Sequence, residues 1–173
     1  MFTKPDIEKY FTAEKQESFI FLLIGSLAVL GALIFFLVIK ESFYKGAAIP
    51  LLLVGLLLCI VGFTVYKRSD EDRKRNVYAY DMNPAHFKNT ELPRMKVVMK
   101  NFVIYTWAEV LLLLAGAGLY IYFIRDFNHD FWRGFGLSLA VMAIIALVAD
   151  RFAIIRGRAY TKGVEWYIDN KKL

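Results

Sequence analysis

The chain has one cysteine, two histidines and four prolines among 173 residues, and each scarcity removes a class of chemistry. Cys59 alone allows neither an internal disulfide nor a CxxC redox pair, and inside an apolar run it reads as a small packing residue. Cys59, His86 and His129 are too few and too scattered for a metal centre. His129 between Asp126 and Asp130 reads as a solvated turn. There is no G-x-S-x-G, no H-E-x-x-H, no P-loop and no glycine-rich dinucleotide fingerprint. No catalytic site, cofactor or metal is therefore expected. No asparagine begins an N-x-Ser/Thr acceptor.

Charge is also scarce in four long stretches, and these set the fold class. The composition is 58% apolar and 16% aromatic, high for a water-soluble domain and ordinary for a small polytopic membrane protein. Runs 19–39, 47–66, 102–124 and 135–155 each reach the twenty or so residues that, at about 1.5 Å each, cross a hydrocarbon core of about 30 Å. The first is followed by Lys40-Glu41 with no small-residue cleavage site and reads as an uncleaved span. The expectation is an all-α integral membrane protein with four transmembrane helices in two similar hairpins, 19–66 and 102–155.

Polar segments flank the spans. Residues 1–18 carry Ile7, Tyr10 and Phe11 at helical spacing, which predicts a short amphipathic helix at the membrane surface, with Thr3 and Asp6 as its capping box. Pro50 falls near the start of the second span, where proline costs a helix least. Segment 67–101 reads as a basic loop broken by the turn-like Asn83-Pro84. From Thr90 onward, Pro93 and the spacing of Met95, Val98, Met99 and Phe102 predict a helix running into the third span. Segment 156–173 reads as a polar tail in which a last helix would carry Val164, Trp166, Tyr167 and Ile168.

Eighteen of the 22 Lys and Arg lie before the first span, in segment 67–101 or from Arg151 onward; Lys40, Lys45, Arg125 and Arg133 lie in the two opposite turns. The positive-inside rule then puts both termini and segment 67–101 in the cytoplasm, consistent with a bacterial inner membrane. The net charge of +6 and pI near 9.4 are accounted for by this asymmetry, and nucleic acid is not expected as a partner.

The outer turns lead into matching sequences, Phe43-Tyr44-Lys45-Gly46 and Phe131-Trp132-Arg133-Gly134. Both hairpins would enter from the same side, so the pattern predicts a parallel internal repeat, with chance likeness of apolar helices as the competing account. Small residues predict the packing faces: Gly25, Ala28 and Ala32 on the first span, Gly55, Cys59 and Gly62 on the second, and Gly136, Ala140, Ala143 and Ala146 on the fourth.

Two carboxylates interrupt the spans. Glu109 lies about 10 Å into the third and Asp150 at comparable depth in the fourth. An ionised carboxylate facing lipid costs several kcal/mol, so each should be neutral, paired with Arg151 or Lys100, or in contact with water. Tyr105 shares the Glu109 stripe and can hydrogen-bond nearby. Glu109, Asp150, Arg151 and Tyr105 thus form a candidate polar site, either for proton or cation handling or as a register-fixing cluster. Lys67, Arg68, Arg73, Lys74 and Arg75 serve as an orientation signal, an anionic-lipid contact or a partner-docking surface.

Function reads foremost as non-enzymatic, by binding a protein at the cytoplasmic face, as an accessory or regulatory subunit or an immunity-type protein. The rival is a channel or proton-coupled transporter using Glu109, which with only four spans implies a homo-oligomer.

Overall fold

The computed structural model describes residues 2–171, and they form four long helices. These are α1 (Lys4–Ile34), α2 (Ser42–Met82), α3 (Leu92–Phe123) and α4 (Asp130–Lys171), with π-helical turns at Phe35–Ile39 and Phe87–Glu91 and a 3₁₀ turn at Phe127–His129. With the turns that continue them they run 36, 41, 37 and 45 residues, and each contains a stretch long and apolar enough to cross a membrane. A 41-residue helix is about 60 Å long, roughly twice a hydrocarbon core, so the helices continue well past their apolar parts.

Local chemistry sets the boundaries. The Asp6 carboxylate accepts from the Thr3 backbone N–H at 2.8 Å and from the Thr3 hydroxyl at 2.7 Å, and so closes the start of α1. Lys40 adopts the left-handed conformation (φ 61°) that ends it, leaving only Lys40 and Glu41 between the first two helices. The predicted turn over 40–46 is therefore mostly helix, and Pro50 lies inside α2 rather than at its start. Asn83 and Pro84 end α2. The π-helical turn Phe87–Glu91 then precedes Pro93, which has no N–H to continue a regular ladder; an i+5 turn is one way a helix absorbs that loss.

The helices pack in the order α1, α2, α4, α3. α1 lies against α2, α3 against α4, and the parallel pair α2 and α4 joins the hairpins. In the apolar half these contacts use small residues. Gly25 meets Gly55 and Cys59, Gly62 meets Ser18 and Leu22, and Gly116 meets Gly136 and Ala140, all at backbone distance. At the turn end Gly46 rests on Phe131 and Gly134 on Phe43, and the Ser138 hydroxyl donates to the Ala47 carbonyl at 2.8 Å. Large apolar side chains such as Leu27, Leu53, Leu111 and Val148 point outward.

Most of the large buried side chains lie at the opposite end, in a head formed by the polar continuations of all four helices. Ile7, Phe11, Phe87, Met95 and Val164 have no exposed surface there. Burying each contributes roughly 1.5–3 kcal/mol. Phe2 sits among the rings of Tyr80, Phe87, Tyr160 and Tyr167. The Tyr80 hydroxyl donates to the Phe2 carbonyl at 3.0 Å and the Tyr167 hydroxyl to the Tyr80 carbonyl at 2.5 Å.

Two expectations for the polar segments are corrected by this head, and the helix expected in the third is present as a continuation of the fourth apolar run. Segment 67–101 is helical except around Asn83-Pro84, because α2 buries a stripe of Ser69, Asp72, Asn76 and Ala79 against its neighbours. Residues 4–18 are not a separate surface helix. They run unbroken into the first apolar stretch, with Ile7, Tyr10 and Phe11 buried in protein. The polar tail is the end of α4 as far as Lys171, with Val164, Tyr167 and Ile168 buried and Trp166 exposed.

Candidate functional site

The backbone contact of Gly116 with Gly136 and Ala140 locks α3 to α4 and decides what the apolar-half carboxylates meet. Glu109 and Asp150 face one another within hydrogen-bonding reach. Oε2 of Glu109 is buried and receives no donor from any other group among the described residues. Neither carboxyl forms an ion pair among the described residues, and Arg151 beside Asp150 is exposed. Tyr105 is also exposed and lies outside the pair. Of the three states anticipated for these carboxyls, pairing with Arg151 or Lys100 is not seen among the described residues, and the two carboxyls neighbour each other. Two such oxygens bond to each other only when one carries a proton, and otherwise they hold a cation between them or repel.

The five basic residues of segment 67–101 separate into two groups. Arg68 lies 3.8 Å from Glu14 and 3.9 Å from Asp72, Arg73 lies 3.7 Å from Asp70, and Arg75 binds Asp72 at 2.5 Å. These three are engaged within the head. Lys67 and Lys74 are exposed. Lys74 lines a shallow groove of about 500 Å³ with Tyr78 and Met82, both largely exposed.

Where head meets apolar half there is a belt of buried polar groups. Glu91, with no exposed surface, accepts from Arg94 Nε at 2.9 Å and from Nη2 at 2.7 Å. The Arg94 guanidinium also lies 5.8 Å from the centre of the Phe11 ring. Glu14 accepts from the Ser69 hydroxyl at 3.1 Å. Burial pushes the Glu14 carboxyl above its ordinary range, opposed by Arg68 and more weakly by Arg94. Tyr10 stacks on Tyr160 with centroids 4.0 Å apart, and burial, aided by Glu14, raises the Tyr10 phenol. Arg156 of α4 pairs with Glu17 of α1 and lies over the Tyr10 ring.

Sequence reasoning missed this belt. The i,i+3 spacing of Glu91 and Arg94, and of Glu14 and Glu17, was a readable local signal. Which basic group each carboxylate meets depends on helix packing that no local pattern records.

In the turn between α3 and α4, His129 Nδ1 lies 2.7 Å from Asp126, which holds that carboxyl below its usual range. The Asp130 carboxylate instead meets Arg133 at 3.0 Å. Comparison with models of known families, with curated proteins and with solved structures yields no match for this chain.

Proposed function

We propose that this is an integral membrane protein that works without catalysis, by binding another protein at its helical head. It would serve as an accessory or regulatory subunit, or as an immunity-type protein that blocks a membrane-acting toxin. The observation that carries the reading is the division of labour between the two halves. The apolar half is packed through glycine contacts, whereas the head has its own aromatic core and exposes Tyr78 and Met82 beside Lys74. The groove also carries Lys4, Glu8, Arg73 and Asp81, so Tyr78 and Met82 form an apolar centre inside a charged rim, the make-up of a protein-binding surface. A photo-crosslinker in place of Tyr78, activated in native membranes, should give one reproducible protein adduct that Met82→Ala weakens. Failure to trap any protein across repeated preparations would refute the reading.

In this reading the head faces the cytoplasm of a bacterial cell, since eighteen of the 22 basic residues lie before the first apolar run, in segment 67–101 or from Arg151 onward in the sequence. In a Cys59→Ala background, a membrane-impermeant maleimide should label Arg125→Cys in intact cells. Lys88→Cys should react only after permeabilisation. The reciprocal seating of Gly46 and Gly134 supports duplication of one hairpin about an axis along the membrane normal.

The Glu109–Asp150 pair favours a second reading, an oligomeric channel or proton-coupled transporter. Two carboxyls meeting without a counter-cation suit exchange of a proton or cation better than a standing ion pair. Proteoliposomes carrying wild type or Glu109→Gln test it, and equal background flux from both would exclude it.

A further inference from the structure

A groove of about 640 Å³ runs between the start of α1 and the end of α4. It crosses the junction of head and apolar half. Phe152 and Ile155 form its lower wall at the end of the fourth apolar run, and both are exposed. Arg156 follows at once, and Lys9 and Lys162 stand at the outer rim, exposed and without an ion pair among the described residues.

Arg156 is built into position. Its guanidinium lies 5.6 Å from the centre of the Tyr10 ring and pairs with Glu17, so it is held from below and from one side. Its Nε is buried with no hydrogen-bond partner. An orphaned donor at the foot of a groove calls for an acceptor. Two carboxylates also line the groove: Asp6 caps α1 through Thr3, and Glu17 meets Arg156 through Oε1 while its Oε2 is buried without a hydrogen-bond partner. Three cations against two engaged carboxylates leave the groove positive.

We propose that this groove holds one anionic phospholipid. Its phosphate would bind between Arg156 Nε and the rim lysines, with an acyl chain along Phe152 and Ile155. Trp166, half exposed at the upper rim, would flank the headgroup. The order apolar wall, half-buried arginine, exposed lysines matches the polarity of a lipid from chain to headgroup. The backbones of α1 and α4 stay apart here and meet through side chains, Tyr10 on Tyr160 and Glu17 on Arg156, so a lipid lying along these groups completes the seam between the hairpins. The inference rests on the membrane-spanning reading and is independent of the partner that the head binds.

The test uses the full chain released from nanodiscs containing equal amounts of phosphatidylglycerol and phosphatidylcholine with identical chains. Native mass spectrometry then reads which lipid stays bound. Wild type should retain one phosphatidylglycerol, preferred by at least about tenfold, as two or three basic groups near a headgroup imply. Arg156→Gln and the rim double variant Lys9→Gln/Lys162→Gln should each bring the preference close to parity. Glu17→Gln frees Arg156 and should strengthen retention, an opposite sign that general unfolding cannot produce. Lys88→Gln should change nothing. Equal retention of the two lipids by wild type would overturn the proposal, as would an undiminished preference in Arg156→Gln. Loss of the preference on adding inorganic phosphate would also overturn it, because the groove would then recognise a bare anion. A chain that stays dispersed without detergent would instead remove the membrane-spanning premise.

Discussion

Gly46 and Gly134 hold the same place in two matching turn-side motifs, and each lies against the backbone of the other's motif. A Cβ on Gly46 would fall 1.9 Å from the Phe131 carbonyl oxygen, and one on Gly134 2.0 Å from that of Phe43. Both distances are far inside van der Waals contact, and the neighbouring atoms are backbone that cannot rotate away. The crossing of α2 and α4 therefore requires glycine on both sides.

Gly46→Ala and Gly134→Ala should each lower thermal stability by about 1–3 kcal/mol, with the double variant less than additive because one separation of α2 from α4 relieves both clashes. Gly118→Ala is the control. A Cβ added there would meet nothing within 4 Å, so exchange for the better helix former should gain up to about 1 kcal/mol. Thermal unfolding in one detergent would rank all four variants, and an unaffected Gly46→Ala would refute the close crossing.

Phe2→Ala should cost about 3–5 kcal/mol, since Phe2 is buried against four aromatic rings. Hydrogen exchange should localise the loss to residues 4–18 and the ends of α2 and α4, leaving the apolar runs protected.

The Glu14 carboxyl, raised by burial, makes head stability depend on pH. The folded state binds the proton more tightly than the unfolded chain does. Stability should therefore fall as pH rises above the ordinary value of 4.5, until the raised folded value is passed. Glu14→Gln keeps the Ser69 contact without the charge. It should flatten that slope in pH-dependent denaturation and be at least as stable as wild type at neutral pH.

Glu109 and Asp150 should titrate as a unit. In infrared difference spectra, Glu109→Gln should displace the carboxyl band of Asp150, and Asp150→Asn that of Glu109. Independent bands would mean that the two groups do not share a site.

Different parts of this architecture leave different traces in sequence. The four apolar stretches announce themselves by length, and Gly25, Gly55 and Gly136 by the need for small residues wherever helices touch in lipid. The head leaves little trace because its contacts on α2 are made by Ser69, Asp72, Asn76 and Ala79. That stripe has helical spacing, but its residues are polar or small, so a search for apolar periodicity passes over it. The depth of Glu109 and Asp150 followed from counting residues along each helix. Their meeting, and the exclusion of Arg151, depend on the rotation of α3 against α4 set by Gly116, which spacing along one helix does not encode.

Between Gly46 and Tyr80, α2 has no joint other than Pro50 near its turn end, and it is clamped to α4 at both extremities. Such a pair behaves as a stiff double shaft. A torque applied by anything gripping the head would not be absorbed by a flexible neck, and it would appear some 50 Å away as a rotation of the Phe43 and Phe131 turns.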